Sequence, residues 1–145
     1  MLRFALCISL SVTAIAAPVP KAKVKDADAI LGKWSIVELL RYGKPADKES
    51  DGTVATFGKD TFTVKEPKEE DTGVMVYKLD EDKKHIDLAA MQPGPDQELK
   101  GLYILDGDTL RMAFGSGDQG IRPKELKGGP GVIFVKLVRI KELKK

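Results

Sequence analysis

Histidine and cysteine occur only once each in this 145-residue chain, as His85 and Cys7. A Ser-His-Asp triad or a zinc site would have to use His85. No second histidine could join it as a metal ligand, and Cys7 lies in a leader that we expect to be removed. His85 follows Lys83 and Lys84 at the start of a predicted strand, where we expect it to be exposed. We therefore expect no catalytic residue and no metal site.

Two other patterns are typical of ligand-binding loops but lack the surroundings that such loops need. Gly115–Gly120 has the Gly-x-Gly-x-x-Gly spacing, yet Ile121-Arg122-Pro123 follows it where a dinucleotide site requires a helix. The acidic runs at 69–71 and 80–82 lack the spacing and the central glycine of a calcium loop. We interpret them as solvated turns and expect no cofactor.

The composition is that of a single globular domain, with 42% hydrophobic and 32% charged residues and a formal net charge of +2. Acidic and basic residues are interleaved, and no basic stripe with aromatic residues stands out. Nucleic acids are therefore not expected as partners, because their binding sites cluster lysine and arginine. We expect a monomer.

The first residues have the pattern of an export signal. Arg3 precedes the apolar run Phe4–Ile15, which is too short to cross a bilayer, and small residues follow it. We predict a signal peptide over residues 1–17, cleaved after Ala16 or Ala17, and export to the periplasm or the medium. An amphipathic or buried N-terminal helix is the alternative. The mature chain then has no cysteine and no transmembrane segment.

Beyond a flexible lead-in at 18–29, apolar runs are short, often alternate with polar residues, and are separated by turn residues at intervals of roughly 8–12 residues. This spacing predicts an all-β domain over 30–140, followed by a charged tail at 141–145. Closing an antiparallel up-and-down meander into an eight-stranded barrel would remove both sheet edges, and a two-sheet sandwich is the alternative. The predicted strands are Trp34–Leu40, Thr53–Phe57, Thr61–Lys65, Gly73–Leu79, His85–Met91, Gly101–Leu105, Thr109–Phe114 and Val132–Ile140.

Alternation along these strands selects an apolar inner face. Its members form either a packed core or the wall of a cavity for a small apolar ligand, since an eight-stranded barrel allows both. The candidate pocket residues are Phe62, Val64, Tyr77, Leu79, Tyr103, Leu105, Leu110 and Met112.

Gly32-Lys33-Trp34 on the first strand and Arg139 on the last together resemble the lipocalin, or calycin, pattern. The resemblance implies that Gly32, Trp34 and Arg139 close one end of the barrel, with the guanidinium stacked on the indole. Such a cation–π contact contributes about 1–2 kcal/mol when it is shielded from water.

More specifically, the chain resembles a planctomycete-expanded family of uncharacterised, exported lipocalin-like domains over Ile30 to Ile140. The resemblance implies the fold and the export, and it carries no activity or ligand. The matching blocks are Gly32-Lys33-Trp34, Gly43-Lys44-Pro45, Asp60-Thr61-Phe62-Thr63-Val64, Gly94-Pro95, Gly101–Leu110, Arg122-Pro123 and Leu137-Val138-Arg139.

Three classes of function follow from a barrel of this kind. A hollow barrel would hold a small apolar ligand, and a filled barrel would bind a protein or a polymer through its loops. An enzyme ranks well below both. An apolar cavity of a few hundred Å³ would favour the first class.

Overall fold

The computed structural model describes residues 24–46, 52–68, 72–91, 98–116 and 120–142. The predicted signal peptide, residues 18–23 of the predicted lead-in and the acidic run at 69–71 lie outside the described residues. Positions 117–119 of the glycine-rich motif and 143–145 of the charged tail also lie outside them.

The strands form one antiparallel sheet that closes on itself. β1 pairs with β3 on one side and with β9 on the other, so the sheet becomes an eight-stranded up-and-down barrel. The predicted barrel is thereby confirmed, and the pairing of first and last strands excludes the two-sheet sandwich. The elements are α1 (Asp26–Ala29), β1 (Gly32–Arg41), β2 (Lys44–Pro45), β3 (Val54–Phe57), β4 (Thr61–Lys65), β5 (Gly73–Asp80), β6 (His85–Ala90), β7 (Glu98–Asp106), β8 (Thr109–Gly115) and β9 (Val132–Arg139).

Besides β7, which begins at Glu98 rather than at Gly101, two features of the sheet differ from the strand prediction. β2 is a two-residue strand on the end of β1, and it has no alternation from which it could be predicted. β1 also carries a bulge, because its register against β9 shifts between Ile36 and Glu38. The intervening residue, Val37, is 54% exposed. A bulge reverses the inside–outside alternation, which brings Leu39 inward after Ile36.

The two ends of the barrel are built differently. We call the end that contains α1, Trp34 and Tyr103 the plugged end, where short turns join the strands. We call the opposite end, where Arg41 and Ile133 lie, the cavity end. Most of the large, fully buried side chains lie toward the plugged end, namely Ile30, Trp34, Phe57, Ile86, Tyr103 and Leu110. Met112 and Leu137 are also fully buried and border the interior toward the cavity end.

Candidate functional site

Trp34 and Arg139 tie the first strand of the barrel to the last at the plugged end. They are direct partners in the pairing of β1 with β9, and the guanidinium carbon lies 4.2 Å from the centre of the indole ring. Trp34 is completely buried, and its Nε1 donates to the Ile30 carbonyl at 2.8 Å. Gly32 adopts a φ of +118°, a backbone conformation that side chains strongly disfavour. The sequence analysis predicts this stacking of Arg139 on Trp34.

Arg139 also satisfies the carbonyl groups that end the helical turn. Its Nη1 donates to the Leu31 carbonyl at 2.8 Å, and its Nη2 donates to the Ala29 carbonyl. The carbonyls at a helix end have no partner within the helix, so an arginine across the barrel supplies one. The last strand therefore holds the N-terminal turn in place.

The α1 turn closes the barrel through a buried carboxylate. Asp26 is 8% exposed, accepts a hydrogen bond from the Tyr103 hydroxyl at 2.8 Å, and forms an ion pair with Lys84. Burial and the hydrogen bond to Asp26 raise the pKa of the Tyr103 hydroxyl well above its ordinary value. The backbone N–H of Ala27 donates to Glu81 at 2.9 Å, a second contact between α1 and the β5–β6 turn. The polar groups of the plug are thus paired with one another.

Aromatic packing fills the middle of the barrel on the same side. Phe57 lies 4.7 Å from Phe62 and 5.3 Å from Tyr77, the latter edge to face at 89°. The Tyr77 hydroxyl donates to the Gly58 carbonyl at 2.7 Å. Both buried tyrosines of the interior therefore have hydrogen-bond partners, as buried hydroxyl groups require.

Toward the cavity end the interior is hollow. A cavity of about 420 Å³ lies between the strands there, within the size range of small-molecule sites. Its apolar wall comes from β1, from β4 to β9 and from Ala46 after β2. The residues are Ile36, Leu39, Ala46, Phe62, Val64, Met75, Leu88, Leu99, Met112, Phe114, Ile133, Val135 and Leu137.

Three of the described residues that line the cavity have polar side chains, and all three belong to β1 or to the residues flanking β3 and β4. Arg41 and Glu66 bring opposite charges to it, and neither makes an ion pair within the part of the chain that the structure describes. Thr53 is 2% exposed, and its Oγ1 has no hydrogen-bond partner among the described residues. Within the described residues, the polar part of the lining therefore lies on one wall of the cavity.

Gly101 on β7 leaves room for the ring of Phe114, its direct partner on β8. A Cβ at position 101 would lie 2.5 Å from that ring. Any larger residue would displace the ring, because such a distance is far inside van der Waals contact. The contact with Phe114 therefore explains why β7 has a glycine at position 101.

The candidate pocket residues divide between the two halves of the interior. Phe62, Val64 and Met112 line the cavity. The other five candidates pack into the core away from it, namely Tyr77, Leu79, Tyr103, Leu105 and Leu110. Arg41, Thr53 and Glu66 are not among the predicted pocket residues. Thr53 and Glu66 continue the inward parity of β3 and β4, and this signal could have found them, whereas Arg41 turns inward only because the bulge reverses the alternation of β1.

The remaining residues with possible chemistry are not brought together. His85 is half-buried rather than exposed, because it lies between Asp80 of β5 and Leu102 of β7. Among the described residues, no group of histidine, cysteine or acidic side chains has the arrangement of a metal site. Within the same residues, no helix has the length and hydropathy needed to cross a membrane.

Comparison of the chain with protein-family models, curated proteins and solved structures found no match. The fold and the site therefore define the chain only as an eight-stranded antiparallel barrel with one plugged end and an interior cavity toward the other.

Proposed function

We propose that the chain is a small-molecule-binding barrel that holds one predominantly apolar ligand in its interior. The observation that carries this proposal is the cavity of about 420 Å³ with its apolar wall. Interiors of proteins are normally packed without voids, so a space of this size has a cost in lost packing. Ligand binding is the function that such a space supports best.

The volume limits the size of the ligand. An engineered apolar cavity of about 150 Å³ holds one benzene molecule, so a space nearly three times as large suits a molecule of one or two rings or a short alkyl chain. Burial of that apolar surface would supply most of the binding free energy.

A fluorescence titration with N-phenyl-1-naphthylamine, a neutral apolar probe, tests the proposal. The cavity is filled by Val64→Trp, because Val64 lines the cavity and faces Gly73 on β5, which has no side chain. The wild-type chain is expected to bind one probe molecule saturably, and Val64→Trp is expected to weaken binding at least tenfold. Saturable binding that Val64→Trp leaves unchanged would refute the proposal, and so would the absence of binding to the wild type.

The matched control is the same exchange on the outer face of the neighbouring strand. Val74 is 40% exposed and follows Gly73 directly. Val74→Trp adds the same indole without entering the cavity, so its probe affinity should equal that of the wild type. A thermal melt of both variants shows whether lost binding reflects a filled cavity or an unfolded chain.

We further propose that the chain is exported with removal of a signal peptide, on the strength of Arg3, the apolar run Phe4–Ile15 and the alanines after it. The intact mass of the protein isolated from outside the cytoplasm should correspond to a chain that begins at Ala17 or Pro18. A protein that still carries Met1 would contradict this. Native mass spectrometry of the same sample would reveal a retained ligand.

A second candidate function is binding of a protein or polymer through the connections at the cavity end. Exposed apolar side chains favour it, since Tyr42 is 60%, Met91 58% and Ile121 68% exposed, and all three lie in connections at that end. Replacing Tyr42 and Ile121 with serine should leave probe binding intact and abolish partner binding. The wild type and Val64→Trp should bind such a partner equally well, because the connections and not the cavity would hold it.

A further inference from the structure

A second apolar layer lies on the outside of the barrel at the cavity end. Ala113, Phe134 and Leu40 are consecutive cross-strand partners on β8, β9 and β1. Both chain neighbours of each residue line the cavity, so these three side chains point to the outer face of the sheet. Ala113 is nevertheless completely buried and Phe134 is 8% exposed, and neither belongs to the interior core. Another part of the chain therefore covers them from outside.

The cover is the connection between β8 and β9, and we call its residues 120–131 the strap. Gly128 lies against Leu40 of β1, where a Cβ would come within 2.8 Å of the leucine side chain. Near the other end of the strap, a Cβ on Gly120 would lie 3.4 Å from the Glu98 carbonyl of β7. The strap thus crosses the outside of β8 and β9 on its way from β7 to β1, over the buried outer layer.

Arg122 fastens the strap to β6 and β7. Its Nη1 donates to the Gly101 carbonyl, and its Nη2 lies 2.8 Å from Asp87 Oδ1. The two charged side chains are only 22% and 28% exposed, so water shields their attraction incompletely. Gly101 is the direct partner of Phe114 and Asp87 precedes Leu88, and both of these apolar residues line the cavity. The guanidinium therefore joins two strands directly behind the cavity wall.

The wall of a hollow barrel needs support of this kind. A strand in a packed core has contacts on its inner face that resist its movement, whereas a strand beside a cavity lacks them. On β8 and β9 the missing contacts are replaced on the outer face, where the strap covers Ala113 and Phe134. None of the described strap residues lines the cavity. The strap can therefore affect a ligand only through the position of the wall.

We infer that the strap is an external brace that keeps the cavity open, and that Arg122 is a positioning residue for ligand binding. This inference rests on the proposed function, because the position of the wall matters to a ligand only if the cavity binds one. When only a fraction of the molecules is competent to bind, the apparent affinity falls by that fraction. Release of the strap should therefore weaken binding without removing a contact to the ligand.

Arg122→Ala and Arg139→Ala form a matched pair that separates positioning from stability. Both arginines donate to backbone carbonyls and pair with an aspartate, one at each end of the barrel. Each variant is titrated with N-phenyl-1-naphthylamine at a temperature where circular dichroism shows it to be folded. Arg122→Ala is expected to lower the probe affinity about three- to tenfold, and Arg139→Ala less than about twofold. An unchanged affinity in Arg122→Ala, or an equal loss in both variants, would overturn the inference.

Two further variants test the ion pair itself. Lys127 pairs with Glu125 inside the strap, and both side chains are more than half exposed, so Lys127→Ala removes a charge from the strap and should leave the affinity unchanged. Asp87→Ala removes the partner of Arg122 on β6 and should weaken binding. The double variant should bind the probe no more weakly than Arg122→Ala alone, because the two residues act as one contact.

Fully additive losses, or a Lys127→Ala variant that binds as weakly as Arg122→Ala, would contradict the role of this ion pair. If Arg122→Ala fails to fold, Asp87→Ala carries the comparison with Arg139→Ala, since it leaves the arginine and its carbonyl partner in place.

Amide hydrogen exchange of the ligand-free protein measures the brace without a probe. The amides of Met112–Gly115 should exchange faster in Arg122→Ala than in the wild type, and those of Tyr103–Leu105 at the plugged end should not. Unchanged exchange in Met112–Gly115 would overturn the brace whatever the probe shows. If the wild type does not bind the probe, the proposed function fails and the positioning role of Arg122 fails with it. If the probe binds in the cavity and Arg122→Ala leaves its affinity unchanged, this inference alone fails.

Discussion

The inward-facing side chains are packed against one another at the plugged end of the barrel and surround open space at the cavity end. At the plugged end, Trp34, Tyr103 and Asp26 are buried and their polar atoms are paired with Ile30, Asp26 and Lys84. Toward the cavity end, Leu99, Ile133 and Val64 are only partly buried and surround open volume. The contrast indicates that stability resides mainly in the plugged half, and the proposed function assigns ligand binding to the other.

This division has a physical basis. Packed side chains gain both hydrophobic and dispersion energy, whereas the wall of a cavity lacks contact atoms on one side. A barrel that leaves space for a ligand must therefore obtain its stability elsewhere. Here the helical turn, the stacked arginine and the aromatic cluster provide it at the plugged end.

Matched leucine truncations should give the largest difference between the halves. Leu110 is fully buried between Leu105 and Leu137, so Leu110→Ala is expected to cost about 3–5 kcal/mol of unfolding free energy. Leu99 borders existing space and is partly buried, so Leu99→Ala should cost only about 1–2 kcal/mol. Urea denaturation of both variants measures the two values. Equal costs would mean that the halves do not differ in packing.

Arg139 makes its contacts at the plugged end, so its removal should affect stability and not binding. Arg139→Ala is expected to destabilise the chain by about 1–3 kcal/mol, through lost stacking on Trp34 and through the unpaired carbonyls of Ala29 and Leu31. Probe binding of the folded fraction should persist. Arg139→Lys keeps the charge but not the paired donors, so it should recover only part of the loss. A variant as stable as the wild type would contradict the role of Arg139 in closure.

The pH dependence of stability gives a smaller and more specific signal. The raised pKa of Tyr103 means that its neutral form stabilises the folded state fully below about pH 10, and that this contribution is lost as the pH rises beyond the pKa of the unfolded chain. The unfolding free energy of the wild type should exceed that of Tyr103→Phe by about 1–2 kcal/mol at neutral pH. This difference should shrink above pH 10. Tyr42→Phe, in an exposed turn, is the control. A difference independent of pH would rule out the buried hydroxyl as its source.

Much of the fold could be predicted because its signals are local. Alternating residues such as Phe62 and Val64 mark strands, and the Asp106-Gly107 turn marks a hairpin, with Gly107 at a φ of +56°. β2 could not be predicted, because two residues are too few to show an alternation of apolar and polar side chains. The bulge at Val37 escaped because it depends on how β1 pairs with β9, and no local pattern encodes that register.

The site was harder to predict because a cavity is a property of several strands at once. Alternation assigns Leu110 and Val64 to the same inner face, and it does not say that one lies in packed core and the other beside open space. The polar wall was missed for a similar reason. Thr53 was predicted only as the first residue of a strand, and its lack of a partner follows from its neighbours in space.

A crystal structure under xenon pressure would show which half of the barrel is hollow, since apolar cavities bind xenon and packed cores do not. We expect xenon in contact with Leu99, Met75 or Ile133 and none in contact with Trp34. A structure with no xenon in the cavity, or with xenon against Trp34, would contradict the claim that one half of the barrel is solid and the other hollow.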